Sequence, residues 1–322
     1  MSLFLAFNTD PSFFVDELVA GLTLGAVYAL IALGYTMIYG ILKLLNFAHG
    51  DVYMIGAYTG YFVLTGLGGP FHPRVPIVVL ILLMFLAAMV GCGLLGVVIE
   101  RFAYRPLRNA PRIAPLITAL GVSFFLQASA QLLFGADIKS YDTFDLQNSV
   151  LFVKGIHRTV FGVGVDISLV RIVVILSAIF LMVGLTLLVA RTQIGKAMRA
   201  TSYDREAAAM MGINVDRVIV FTFFIGSALA GAAGVMTGLV FQQVSIFMGF
   251  QAGLKAFTAA VIGGIGNIPG AMLGGFAVGL AESLAQGYVS SEFKDVIVFG
   301  VLIAFMLLRP QGLLGTPAID KV

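Results

Sequence analysis

Apolar runs about as long as a bilayer is thick recur along this chain, and only 11% of its residues are charged. A soluble domain carries about 25% charged residues, so a water-facing surface cannot be built from so few. The apolar surface must face lipid. A helical span needs about 20 apolar residues. Runs of that kind cover Phe14–Ile41, Phe47–Gly66, Pro76–Ile99, Ile113–Phe134, Leu169–Ala190 and Val218–Val240. Toward the end come the short Leu254–Gly264, then Ile268–Ala285 after a glycine-rich break, and the short Val296–Leu308. Barrel strands are about 10 residues long and alternate apolar with polar side chains; these runs do not alternate. The expected fold is all-α: a polytopic transmembrane helical bundle, residues 1–322 forming a single domain.

Positive charge orients such a bundle. Arg101, Arg105, Arg108 and Arg112 follow the third run, and Arg191, Lys196, Arg199, Arg205 and Arg217 lie between the fifth and sixth. Both loops are expected in the cytoplasm. The loop Gly135–Ser168 mixes Lys139, Lys154 and Arg158 with Asp137, Asp142, Asp145 and Asp166 and fits the outer side. The N-terminus then lies outside, while Arg309 and Lys321 place the C-terminus inside. That parity needs an odd number of spans: about nine with Leu254–Gly264 as a short one, or eight elements if one segment is re-entrant. The first 13 residues contain no Lys or Arg. A secretory signal needs a positive n-region, so no cleavage is expected.

Small residues spaced by four let helix backbones approach closely, which matters in lipid because apolar burial drives helix association only weakly. Gly21–Gly25, the series Gly226, Ala230, Gly234 and Gly238, and the pairs Gly270–Gly274 and Gly275–Gly279 have this spacing. Cys92, the single cysteine, stands between Gly91 and Gly93 and reads as a small packing residue. A net charge of +3 with no basic run gives no nucleic-acid signature.

Polar chemistry interrupts the runs in two places. Lys43–Asp51 brings Asn46, His49, Gly50 and Asp51 between the first two runs; Gly263, Gly264, Gly266 and Asn267 precede Pro269 and Gly270. Glycine and proline end a helix there. Irregular backbone at membrane depth is tolerated only where protein buries it or a cavity hydrates it, so both breaks are candidates for the translocation path or its gate. The first also reads as an ordinary cytoplasmic turn. Glu282, late in its run, is either an intramembrane functional group or a group facing water near a helix end.

The cytoplasmic stretch 191–217 holds the most information. Thr201 and Asp204 have capping-box spacing, Arg205 to Met211 reads as a short helix of good formers, and Gly212 is placed to stop it. Ala207, Met210 and Met211 form an adaptable apolar knob flanked by charge. It is either a surface for a partner or a connector packed on the bundle.

Glu206-Ala207-Ala208, with Gly212 four positions after Ala208, resembles the EAA-x-x-x-G loop of ABC-importer permeases. Leu33-Gly-Tyr-Thr-Met-Ile-Tyr-Gly40 and Asn46-Phe-Ala-His-Gly-Asp51 are similar to the LivH branch of branched-chain amino acid permeases. So are Glu100-Arg-Phe-Ala-Tyr-Arg-Pro-Leu-Arg108, Ala259-Ala-Val-Ile-Gly-Gly-Ile-Gly266 and Arg309-Pro-Gln-Gly-Leu-Leu314. The resemblance runs from about Gly21 to Gly315. It implies half of an importer pore in the bacterial inner membrane, paired with a second related permease subunit, two ATP-binding subunits and a periplasmic amino-acid-binding protein. The coupling residues would be Asp204, Arg205, Glu206, Ala207, Ala208, Met211 and Gly212. Leucine, isoleucine and valine are the implied substrates; relatives of similar sequence carry urea, short amides or other amino acids.

No G-x-x-x-x-G-K-[ST] occurs in the chain; at Gly195-Lys196 the next residue is Ala197. No cofactor is expected on this chain, and ATP would be hydrolysed by the partner subunits. A stand-alone secondary transporter or channel is the competing reading. Span centres almost free of charge disfavour ion coupling. An enzyme is disfavoured too, since H-E-x-x-H and G-x-S-x-G are missing and His49, His72 and His157 are too scattered for a metal site.

Overall fold

The computed structural model describes residues 11–67, 76–108, 110–111, 113–141, 156–160, 163–309 and 311–315, with backbone only for 156–160 and 163–167. Arg112, His72, Asp142, Asp145, Lys154 and Lys321, named above, lie outside the described residues. Helix α1 spans Pro11–Leu42, α2 His49–Leu67, α3 Ile77–Ile99 and α4 Ile113–Phe134. A π turn at Glu100–Tyr104 and a tighter turn at Arg105–Leu107 extend α3. After α4 come β1 (Lys139–Ser140), β2 (Ile156–Val160) and β3 (Val163–Ile167). Then follow α5 (Leu169–Arg191), α6 (Gln193–Tyr203), α7 (Arg205–Met210), α8 (Val215–Phe241) and β4 (Gln243–Val244). The last helices are α9 (Met248–Gly263), α10 (Ile268–Tyr288) and α11 (Lys294–Leu308).

Among the described residues, six helical stretches are long and apolar enough to cross a membrane: α1, α3 with its extension, α4, α5, α8 and α10. The chain is an all-α, multi-pass membrane protein. The loop Gly135–Ser168 holds short strands: β2 pairs antiparallel with β3, and β1 with β4 after α8, Lys139 opposite Val244.

Burial separates inner from outer helices. The most apolar windows of α1 and α8 are 72% and 78% buried, against 28% in α3, α4 and α5. The glycine spacing explains why α1 and α8 can sit at the centre. Gly21 and Gly25 pack against Leu280 and Phe276 of α10, and Gly279 meets the backbone of Gly25. Gly226 faces Gly34 of α1, Gly234 faces Tyr53 and Ala57 of α2, and Gly238 faces the Tyr141 ring. A central helix must touch several neighbours at once, and small side chains permit that on every face. Cys92 is buried, its Sγ 3.3 Å from the Val52 carbonyl, as a packing residue should be.

Candidate functional site

Asp204 ends α6 and begins α7. Its Oδ1 accepts from the Glu206 and Ala207 amides at 2.9 and 3.1 Å, satisfying donors that a helix start leaves open. The expected capping box is corrected here. Thr201 is buried inside α6, and its hydroxyl donates to the Ala197 carbonyl at 2.8 Å. Helix propensity carries α6 through Thr201, and the break falls at Asp204 with extended φ and ψ of −152° and 118°. Gly212 stops α7 as expected: at φ +83° its amide donates to the Ala209 carbonyl, and that of Ile213 to Ala208, the paired bonds of a Schellman motif. Removing the cap with Asp204→Ala should cost about 1 kcal/mol of local stability. Hydrogen exchange at the Glu206 and Ala207 amides should quicken accordingly; unchanged exchange would contradict the cap.

The turn anchors inward and presents apolar groups outward. Ala208 is buried, while Tyr203, Met210 and Met211 are more than 80% exposed, and Glu206 and Gly212 are exposed as well. Arg205 reaches the bundle: its Nε and Nη2 donate to the Ile41 carbonyl at 3.0 and 2.6 Å. Burial, and secondarily the nearby charge of Arg108, lower the Arg205 pKa from its ordinary value, yet a guanidinium stays charged at physiological pH. Arg105 and Arg108 both pair with Asp216 in the first turn of α8, and Arg108 also pairs with buried Glu100. The basic loop after α3 is thereby tied to the segment that carries α6 and α7.

At the start of α2, Asn46 Oδ1 accepts from the Tyr104 hydroxyl at 3.0 Å. His49 is buried against the Tyr35 ring, centroids 4.9 Å apart. Asp51 accepts from Ser123 and, at 2.9 Å, from Gln127 of α4. Gly50 lies against the backbone of Gly249 and Gly253, bringing the starts of α2 and α9 together. These contacts tie helices to one another.

The glycine break forms the α9–α10 turn. Gly264 caps α9 at φ +103°, and Asn267 caps α10 by accepting from the Gly270 amide at 3.1 Å. The same Asn267 donates to the Leu314 carbonyl at 2.7 Å. Leu313 and Leu314 donate to the Ile262 and Gly263 carbonyls, so the C-terminal segment satisfies acceptors that the end of α9 leaves open. Gly263 packs on Gly270. Gly266 and Asn267 line a cavity of about 380 Å³ together with Gly40 and Lys43 of the α1 end and Met198 and Arg199 of α6. The second break therefore adjoins the α6–α7 unit; His49 and Asp51 do not line this cavity.

Sequence reasoning missed a buried charge cluster. The expectation of nearly uncharged helix centres is corrected by Lys255 of α9, buried with its Nζ 2.6 Å from Glu282 and 2.7 Å from Asp295. Tyr28 of α1 donates to Glu282 at 2.8 Å. Glu282 alone was legible as a candidate. Lys255 stood next to the start of a short run, and nothing local shows that it faces a carboxylate.

The family model described as "Branched-chain amino acid transport system / permease component" matches residues 17–306. The chain is 43% identical over 309 residues to the high-affinity branched-chain amino acid transport system permease protein BraD of Pseudomonas aeruginosa, covering 96% of this chain and 98% of that one. It is 42% identical over 318 residues to the permease protein LivH of the corresponding Escherichia coli K12 system, with the same coverage. The permease protein LivM of Escherichia coli K12 is 27% identical over 311 residues, covering 91% of this chain and 68% of that one.

Proposed function

Since this chain belongs to the branched-chain amino acid transport permease family, we propose that it forms half of the translocation pathway of an ABC importer for leucine, isoleucine and valine. It is a transport component and not an enzyme. The other half of the pore is a second, related permease subunit, consistent with the likeness to both LivH and LivM. ATP is bound and hydrolysed by two separate subunits, and a periplasmic binding protein delivers the substrate. The chain sits in the inner membrane with its N-terminus in the periplasm and its C-terminus in the cytoplasm. Eight or nine segments enter the bilayer, counting α2, α9 and α11 beside the longer helices.

The observation that carries this reading is the α6–α7 unit. Its cap and Schellman turn fix the backbone from Asp204 to Gly212 while Tyr203, Met210 and Met211 project, left largely uncovered by the described residues. A knob of that kind, tied to α1 through Arg205, suits the groove of an ATP-binding subunit. Closure of the motor would rock the bundle through alternating access, with Gly263, Gly264, Gly266 and Asn267 flexing beside the cytoplasmic cavity. Asn46, His49, Gly50 and Asp51 hold α2 against α4, α9 and the end of α3, so that α2 follows. Purification from the native membrane is expected to bring two ATP-binding subunits and a second permease. The reconstituted complex should take up leucine in an ATP-dependent way, with urea and short amides competing poorly. An active pore formed by the chain alone would sink the proposal, and strong competition by urea would replace the substrate.

A further inference from the structure

Near the end of the bundle where α1 begins, α1, α2, α8, α9, α10 and the start of α11 line a cavity of about 190 Å³. One wall is apolar: Leu24, Val27, Phe241 and Met248. The other carries Lys255, Glu282 and Lys294 beside Gln251 and Gln286. A neighbouring cavity of about 240 Å³ shares Leu24, Val27, Phe241 and Gln286 with it, and adds Glu17 and Arg171.

Burying charge is expensive, and a buried ion pair is often no more stabilising than an apolar replacement of the same volume. Packing alone therefore gives no reason for Lys255 and Glu282 to be here. The cluster has two cations, Lys255 and Lys294, and two anions, Glu282 and Asp295, linked at 2.6 to 4.0 Å. Its formal charge sums to zero, so an ion of either sign would enter unbalanced, whereas a zwitterion keeps the balance. Donors and acceptors remain to be used. An ammonium has three donors, and Lys255 directs its Nζ to Glu282 and Asp295. Lys294 stands 4.0 Å from Glu282 and is partly exposed, as is Asp295, so the cluster faces an opening.

We propose that this cavity binds a zwitterionic aliphatic amino acid, its carboxylate met by Lys255 and Lys294 and its ammonium by Glu282 and Asp295. The ligand exchanges its own charges into an ion-pair network that closes again when it leaves. Tyr28, which also lines the cavity, donates to Glu282 at 2.8 Å and so positions it. The aliphatic side chain lies along Leu24, Val27 and Phe241. This assignment rests on the transport function proposed above.

The test uses the complete importer reconstituted in lipid nanodiscs. Cys92 is buried and silent to a charged methanethiosulfonate reagent, so Gln286→Cys reports on the cavity through the mass of this chain. Leucine at twice its dissociation constant should slow modification about threefold by mass action. Isoamylamine and 4-methylpentanoate, each lacking one charge, should not slow it, and Glu282→Gln in the same background should remove the protection by leucine. Gln251→Cys supplies a second reporter if Gln286→Cys does not assemble. Equal labelling with and without leucine, or equal protection by the one-charge analogues, overturns the site while leucine uptake by the native complex leaves the transport reading standing. A native complex that takes up no leucine overturns the transport reading itself.

Discussion

Gly212→Val is expected to cut leucine uptake severely while leaving ATP hydrolysis by the partner subunits largely intact. Gly212 sits at φ +83°, where a side-chain-bearing residue pays about 1–3 kcal/mol of strain and a β-branched one is an outlier. The bonds of Gly212 and Ile213 to Ala209 and Ala208 depend on that conformation. Relieving the strain means opening the turn, which turns Met210 and Met211 away from where a partner would meet them. Each 1.4 kcal/mol lost from productive engagement is tenfold in its equilibrium constant, so uptake should drop by about tenfold to a hundredfold. Gly212→Asn is the control, because asparagine tolerates the left-handed region, and it should retain most of the transport. Space is not the issue: a Cβ at Gly212 would meet none of the described residues within 4 Å. Glu206→Lys probes the same surface by reversing an exposed charge, and should likewise separate hydrolysis from uptake. Transport unchanged in both Gly212→Val and Glu206→Lys would remove α7 from the coupling mechanism.

Gly279→Leu should prevent the bundle from assembling. A side chain there would drive into the backbone of Gly25 on α1. Overpacking typically costs about 1–3 kcal/mol when side chains can shift; here the obstacle is backbone, so the cost lies at or above the upper end. In lipid, close contact is what holds helices together, and α1 and α10 would have to separate. Solubilised protein should lose its folded peak on gel filtration. At Gly121 and Gly184 an added Cβ would meet none of the described residues within 4 Å, so Gly121→Leu and Gly184→Leu should leave that peak in place, showing that bulk alone is not the cause.

The contrast between those glycines also marks what the sequence could and could not disclose. Gly25 and Gly279 announce themselves by their spacing to Gly21 and Gly275, and the structure uses all of them between α1 and α10. Run length located the long helices, because membrane thickness dictates it. Gly212 was legible since a helix of good formers followed by glycine has few other outcomes. The helix start was not: Thr201 and Asp204 are both good caps, and only the continuation of α6 through Thr201 decides between them. The beginning of α9 at Met248 was hidden by Gly249, Gln251 and Gly253, which stop the apolar run from reaching back past Leu254. Its partner Glu282 lies 27 residues on, in the next helix, and no periodicity within either helix reports such a pairing. His49 and Asp51 read either as an ordinary turn, the favoured reading, or as part of the path. Their contacts with Tyr35, Ser123 and Gln127 are tertiary facts that a single sequence does not contain.

The bond from Arg205 to the Ile41 carbonyl has a mechanical meaning. It grips α1 at its last turn, and the same unbroken helix carries Tyr28 to Glu282. From Ile41 to Tyr28 is about 20 Å at 1.5 Å per residue. An α-helix is stiff along its axis over so short a length, so α1 acts as a pushrod. Under the proposed coupling, a stroke delivered to α7 would arrive at the tyrosine with little lost on the way, and the charge cluster at the far end would be loosened or tightened by the same displacement.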